Sequence, residues 1–341
     1  MDEIARWPPE DRAALFQETA TRMGPVPEII EKDFWVCWTL SRLFAGPARQ
    51  PAMLFKGGTS LSKVYGAIQR FSEDIDLSLD RHDLGFVGDR DPENAISRKG
   101  TWRLLESLHQ ECTRYVADEL LPSIVQDFEA HLGQRMGRAW SLGVDSEDPQ
   151  TILFRYPPSL SATVGAYIPP LVRMEFGARS DFWPAIDAEI RPYAAEYFPD
   201  VFQNSPTCRV HVLEAKRTFW EKATLLHAEY HRPEVRPGAE RLSRYYYDLA
   251  QLSLTPIYLE ARADLGLLAR VAEHKDRLFA AGWVRYGEAR PGSLHLVPHS
   301  ELRTTLEADY KVMQEMVFGD PPSFASILER IGEVELEINS G

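Results

Sequence analysis

Two aspartates one residue apart, Asp74 and Asp76, sit in the segment Ser72-Glu-Asp-Ile-Asp-Leu-Ser-Leu79. From Asp74 onward the segment alternates polar and aliphatic, the period of a strand, so both carboxylates share one face while Ile75, Leu77 and Leu79 point to the other. Like charges so placed repel, and a divalent cation relieves the repulsion. Two such cations about 4 Å apart serve both sides of a phosphoryl-type displacement. Some fifteen residues upstream stand Gly57, Gly58, Thr59 and Ser60, directly after the apolar run 51–55. Glycines there let the backbone turn sharply and approach a ligand. A hydroxyl residue makes a good helix cap, and Leu61, Val64 and Ile68 follow at helical spacing. Strand, glycine turn, helix and acidic strand together predict a metal–phosphate site, with phosphate at the helix start.

The rest of the chain must position that centre. Residues 9–22 and 27–44 read as helices ahead of the glycine strand, and Phe34, Trp35 and Trp38 in the second are expected to pack on a sheet. After the acidic strand come a polar loop over 81–100, a helix over 101–132, and strands at 151–156, 171–176 and 209–213. A helix follows over 214–230. Residues 181–206 read as an excursion punctuated by aromatics and prolines. The segment 231–240, with two prolines and a glycine, is the best linker candidate. Beyond it lie helices over 241–252, 256–281, 301–317 and 324–338. The fold class expected is α+β: a mixed sheet flanked by helices over residues 1–230, then a helical C-terminal region over 241–341.

Composition narrows the function. The 341 residues are 44% hydrophobic and 26% charged, ordinary for a globular protein. No apolar run approaches membrane-spanning length and the first residues lack a signal-peptide pattern, so no membrane partner is expected. Cys37, Cys112 and Cys208 are widely separated and odd in number, which fits a reducing cytoplasm. A net charge of −13 argues against a protein that coats nucleic acid. From Arg209 to Arg244, however, eight Lys/Arg stand against five Asp/Glu, a locally basic stretch that could hold a few phosphates. His227 and His231 fall at i, i+4 without a third ligand nearby and read as surface residues. Neither a nucleophile elbow nor a Walker loop is present.

Gly57-Gly58-Thr59-Ser60 followed by Arg70-Phe-Ser-Glu-Asp74-Ile-Asp76-Leu77 resembles the AbiEii/AbiGii toxin family of nucleotidyltransferases, within the polymerase-β-type superfamily. The resemblance implies a toxin of a toxin–antitoxin or abortive-infection system, using an NTP and Mg²⁺ or Mn²⁺ and countered by a cognate antitoxin. MenT-type members add nucleotides to the 3′ end of tRNA, so tRNA is the acceptor expected. Glu175, in Leu171-Val-Arg-Met-Glu-Phe176, is the expected third acid; the alternative is a surface glutamate paired with Arg173 or Arg179. Lys222 resembles the family's third motif and would neutralise a triphosphate, the alternative being a solvated lysine. Asp248, in Arg244-Tyr-Tyr-Tyr-Asp-Leu249, partly matches the fourth motif, although Tyr245 stands where relatives carry Asp or Asn. It would orient Lys222 or the nucleotide, unless it pairs with Arg244. Ser60, Lys63, Lys216 and Arg217 are further phosphate candidates. Transfer to a protein side chain or a small molecule, and a non-catalytic NTP-binding module, remain the rival readings.

Overall fold

A computed structural model describes residues 1–44, 51–133, 140–160, 168–202, 206–233 and 241–340. Most of the linker candidate, 234–240, lies outside them. The chain forms two compact units. The first comprises Met1–Val64, Phe71–Val87 and Glu106–Val212; the second comprises Tyr65–Arg70, Gly88–Leu105 and Leu213–Gly341.

The first unit holds a mixed sheet of order β3-β4-β5-β2-β1-β7-β6. Its strands are β1 (Met53–Lys56), β2 (Asp74–Leu79), β3 (Ser141–Val144), β4 (Thr151–Arg155), β5 (Leu171–Gly177), β6 (Ala185–Ile190) and β7 (Cys208–Leu213). β3 and β6 arise in segments whose composition suggests only turns and an excursion. Helices α1 (Asp2–Ala5), α2 (Pro9–Met23) and α3 (Pro27–Phe44) precede the sheet, and α4 (Gly57–Lys63) follows β1. Helix α5 (Arg98–Tyr115) begins in the second unit, and α6 (Leu121–Leu132) and α7 (Tyr193–Tyr197) complete the first.

Register explains the two faces of the sheet. β2 runs antiparallel to β1 and parallel to β5, with Ile75 opposite Met174 and Leu77 opposite both Phe55 and Phe176. These side chains are buried. The aromatics of α3 pack on the same sheet: the rings of Trp35 and Trp38 each lie 5.8 Å from that of Phe154 on β4, between centroids. Burying each such side chain contributes about 1.5–3 kcal/mol. With one face committed to the core, the period of two sends every second residue to the other.

The second unit is largely helical, with α8 (Ala215–Tyr230), α9 (Ser243–Ser253), α10 (Pro256–Ala263), α11 (Leu265–Leu278), α12 (Ser300–Met313) and α13 (Phe324–Asn339). Its two early segments join it through specific bonds. The Tyr65 hydroxyl donates to the Leu213 carbonyl at 2.9 Å, and the Phe318 amide donates to the Gln69 carbonyl at 2.8 Å. His274 contacts Glu93 at 2.5 Å, and Arg277 donates to the Glu93 carbonyl at 2.6 Å. The two compact units divide at residue 212/213, before α8, and two earlier stretches of chain belong to the second. Among the described residues no helix is long and apolar enough to cross a membrane.

Candidate active site

The polar face of the sheet carries the acids. Asp76 on β2 lies opposite Lys56 on β1 and Glu175 on β5, and Asp74 lies opposite Arg173. Glu175 in turn faces Thr151 on β4. One transverse row thus reads Lys56, Asp76, Glu175, Thr151. Asp74 and Asp76 are half-buried, and the Glu175 side chain keeps 42% of its exposure, within 3.7 Å of the Arg173 guanidinium. The structure brings the three expected acids together on adjacent strands, and it also brings in the Arg173 partner of the surface-glutamate alternative.

From sequence Arg173 enters only as that possible partner of Glu175, since a strand arginine is ordinary. Its Nη1 donates to Asp145 at 2.9 Å. Burial works against its charge, but Asp145, Asp74 and Glu175 together outweigh that and hold the guanidinium protonated. A cation therefore lies beside the acidic row, opposite Asp74.

Gly57 is the tightest constraint on the site. Its φ is +79°, in the left-handed region, and a Cβ there would fall 1.9 Å from Oδ2 of Asp76. The Asp76 carboxylate rests directly against the turn that starts α4. That helix begins at Gly57 with Lys56 as its cap residue, so neither hydroxyl caps it. Thr59 instead donates to the Asp74 carbonyl at 2.5 Å and Ser60 to the Gly57 carbonyl at 2.9 Å. Thr59 ties the turn to the acidic strand and Ser60 closes the turn on itself, so both hydroxyls are engaged within the first unit. The first amides of a helix have no partner within it.

Lys63 lies elsewhere than its spacing suggests. Its amine is buried, donates to Asp33 at 2.6 Å and sits 3.6 Å from the centroid of the Tyr193 ring. Burial disfavours that charge, yet the Asp33 contact outweighs it and keeps the amine protonated beyond its usual range. Nearby, Lys32 bonds Glu73 at 2.5 Å and Glu31 accepts from Ser159 at 2.6 Å. The acidic-basic-acidic triplet 31–33 is thus internal wiring of the first unit.

The second unit gathers Lys222 on α8 and Asp248 on α9 with a residue given no role from sequence, Arg70. Arg70 grips Asp248 bidentately, Nε to Oδ1 at 2.7 Å and Nη2 to Oδ2 at 2.8 Å. Lys222 donates to the same Oδ2 at 2.8 Å. All three are buried: 5% of Arg70, 7% of Lys222 and none of Asp248 is exposed. Burial alone would push the Asp248 carboxyl up, but Arg70 and Lys222 overcome it and hold the group well below the usual carboxylate range. Lys222 is therefore not a solvated lysine, and Asp248 bonds both Lys222 and Arg70. The Lys222 amine lies 4.9 Å from the centroid of the Tyr245 ring, a cation–π contact.

The basic stretch is less available than its count implies. Lys216 pairs with Glu214 at 3.2 Å, buried Arg217 with Glu221 at 3.1 Å, Arg232 with Glu229 at 2.6 Å, and Arg209 with Asp187 at 3.0 Å. Arg209 also belongs to the first unit and the others to the second. The two histidines read as surface residues form part of a ring cluster instead. His227 is fully buried against His231 at 4.7 Å, and Tyr230 stacks on His295 at 4.2 Å and on His299 at 4.0 Å.

Oxygen donors on adjacent strands suit a hard cation. Among the described residues no three His, Cys, Asp or Glu side chains form a ready-made cage for a metal. An open carboxylate set still fits Mg²⁺ or Mn²⁺, because Mg²⁺ is commonly held by one or two carboxylates plus substrate phosphates.

A family model described as "Nucleotidyl transferase AbiEii toxin, Type IV TA system" matches residues 38–330. The structure is similar to MenT4, a nucleotidyltransferase toxin from Mycobacterium tuberculosis H37Rv, with a TM-score of 0.51 and 16% identity over 96% of this chain and 90% of that one. No curated protein matches the sequence.

Proposed function

The chain belongs to the AbiEii family of nucleotidyltransferase toxins, and on that premise we propose that it transfers a nucleotide from an NTP to the 3′ end of tRNA in a reaction dependent on Mg²⁺ or Mn²⁺. Membership implies an NTP substrate and an antitoxin partner. The observation that carries the metal–phosphate reading is the row of Asp76 and Glu175 with Gly57 packed against the Asp76 carboxylate. Only a glycine admits that contact, so the turn and the acid are built as one piece.

Asp74, Asp76 and Glu175 would hold the cation, which when bound polarises phosphoryl oxygens and favours loss of the acceptor proton. The backbone amides of Gly57 to Ser60 cradle phosphate oxygens at the start of α4. Lys222, oriented by Asp248, supplies positive charge to the triphosphate. One such pair at about 4 Å is worth on the order of 4 kcal/mol at intermediate dielectric. Transfer frees pyrophosphate and leaves the nucleotide esterified to the acceptor hydroxyl.

A single-stranded 3′ end suits an acidic chain, because it asks for few phosphate contacts. The test uses purified protein with Mg²⁺, each labelled NTP in turn, and total tRNA, either intact or with its terminal ribose oxidised. Label on intact tRNA that disappears on oxidation is the expected result. Label on protein or on a small-molecule fraction would overturn the acceptor while leaving the transferase.

A further inference from the structure

Arg70 is buried against the carboxylate that also holds Lys222. Asp248 accepts three hydrogen bonds, two from Arg70 and one from Lys222. Arg70, Asp248 and Lys222 together carry two positive charges and one negative. Without Arg70, Asp248 and Lys222 would cancel, and the amine would meet a triphosphate as half of a neutral pair. With Arg70 in place, the guanidinium takes both oxygens of Asp248 in a buried setting where charge is weakly screened. Arg70 is itself fixed through its backbone, which bridges to Val317 beside the Phe318–Gln69 bond.

We propose that Arg70 is a positioning residue for nucleotide transfer, acting through Asp248 to keep the Lys222 amine oriented and electrostatically available to the triphosphate. The inference rests on the assignment of Lys222 to NTP binding. Arg70 touches no substrate in this account. Its planar fork satisfies both carboxylate oxygens at once, which a lysine's single amine does not do.

A double-mutant cycle tests the coupling. Equilibrium binding of each NTP with Mg²⁺ is measured on the full chain as wild type, Lys222→Ala, Arg70→Gln and the double variant, with thermal unfolding of each. Lys222→Ala and Arg70→Gln should each weaken binding of the preferred NTP roughly tenfold, the weight of one charged hydrogen bond. The double variant should bind no more weakly than Lys222→Ala alone, because Arg70 works only through the amine. Arg70→Lys, which keeps the charge and is the milder change should Arg70→Gln not fold, should fall between wild type and Lys222→Ala. In the Lys222→Ala background it should add nothing.

If Lys222→Ala binds every NTP as the wild type does, the assignment of Lys222 fails. If Lys222→Ala weakens binding but the Arg70 variants leave it unchanged, or weaken it by the same factor with and without Lys222, the assignment stands and the positioning role of Arg70 is overturned.

Discussion

The acidic row on the sheet and the Arg70–Asp248–Lys222 group are both charge clusters, yet they solve opposite problems. In the row, Asp76 and Glu175 face each other with like charge on a half-open surface. In the second unit, one carboxylate is wrapped by two cations and no part of it is exposed. The first arrangement is held by the backbone register in spite of its charges. The second contributes to holding its helices together. Like charge in the row is tolerated by the fold, whereas the Asp248 carboxylate is satisfied within it.

The largest effect should come from breaking the satisfied group. Asp248→Ala strands two buried cations and should cost about 3–5 kcal/mol, as removal of one member of a buried ion pair does. Thermal unfolding should show a fall of many degrees; a shift within experimental error would mean the group is not a closed network. Asp76→Asn should do the reverse. Stability should change by no more than about 1 kcal/mol, the scale of a cross-strand pair. Nucleotide transfer should fall about a hundredfold or more, the scale of several kcal/mol of lost charge stabilisation. Gly57→Ala should lie between them, because it forces both a strained φ, at about 1–3 kcal/mol, and a shift of the Asp76 carboxylate. Partial loss of transfer with a modest fall in unfolding temperature is expected; wild-type transfer would show that Asp76 need not rest on the turn.

Much of the first cluster was legible because strands write their faces into the sequence with a period of two. Asp74, Asp76 and Glu175 could be placed on wet faces before any register was known. The second cluster was legible only in part. Asp248 and Lys222 stand out through motif resemblance, but Arg70 lies 178 residues from Asp248 in sequence, and no local pattern joins them. Lys63 shows the same limit from the other side. One turn after the glycines it reads as a phosphate ligand, and only the fold brings Asp33 and Tyr193 to it. The interleaving of the two units is hidden for a related reason: 65–70 and 88–105 are bonded to distant chain, as Tyr65 is to Leu213 and Glu93 to Arg277. Composition marks linkers, and it does not mark chain that returns.

The smallest expected effect concerns the ring cluster, where burial disfavours the charged form of His227. Burial pushes the His227 imidazole down to about 4, with His231 and His295 adding to the shift. A free histidine titrates near about 6.5. Between those values the unfolded chain binds a proton that the folded chain refuses, so stability is full above about pH 6.5 and is lost as pH falls toward about 4. Unfolding temperature should decline across that window, and His227→Gln should flatten the decline. An unchanged slope would place the acid sensitivity elsewhere.

The central claim is that the acidic row serves chemistry and not stability. It is tested most directly by measuring, on one preparation of Asp76→Asn beside wild type, both nucleotide transfer with Mg²⁺ and thermal unfolding without metal. The account predicts transfer lost while the unfolding temperature holds or rises. Asp76→Asn that transfers at the wild-type rate, or that loses transfer only by unfolding, would contradict it.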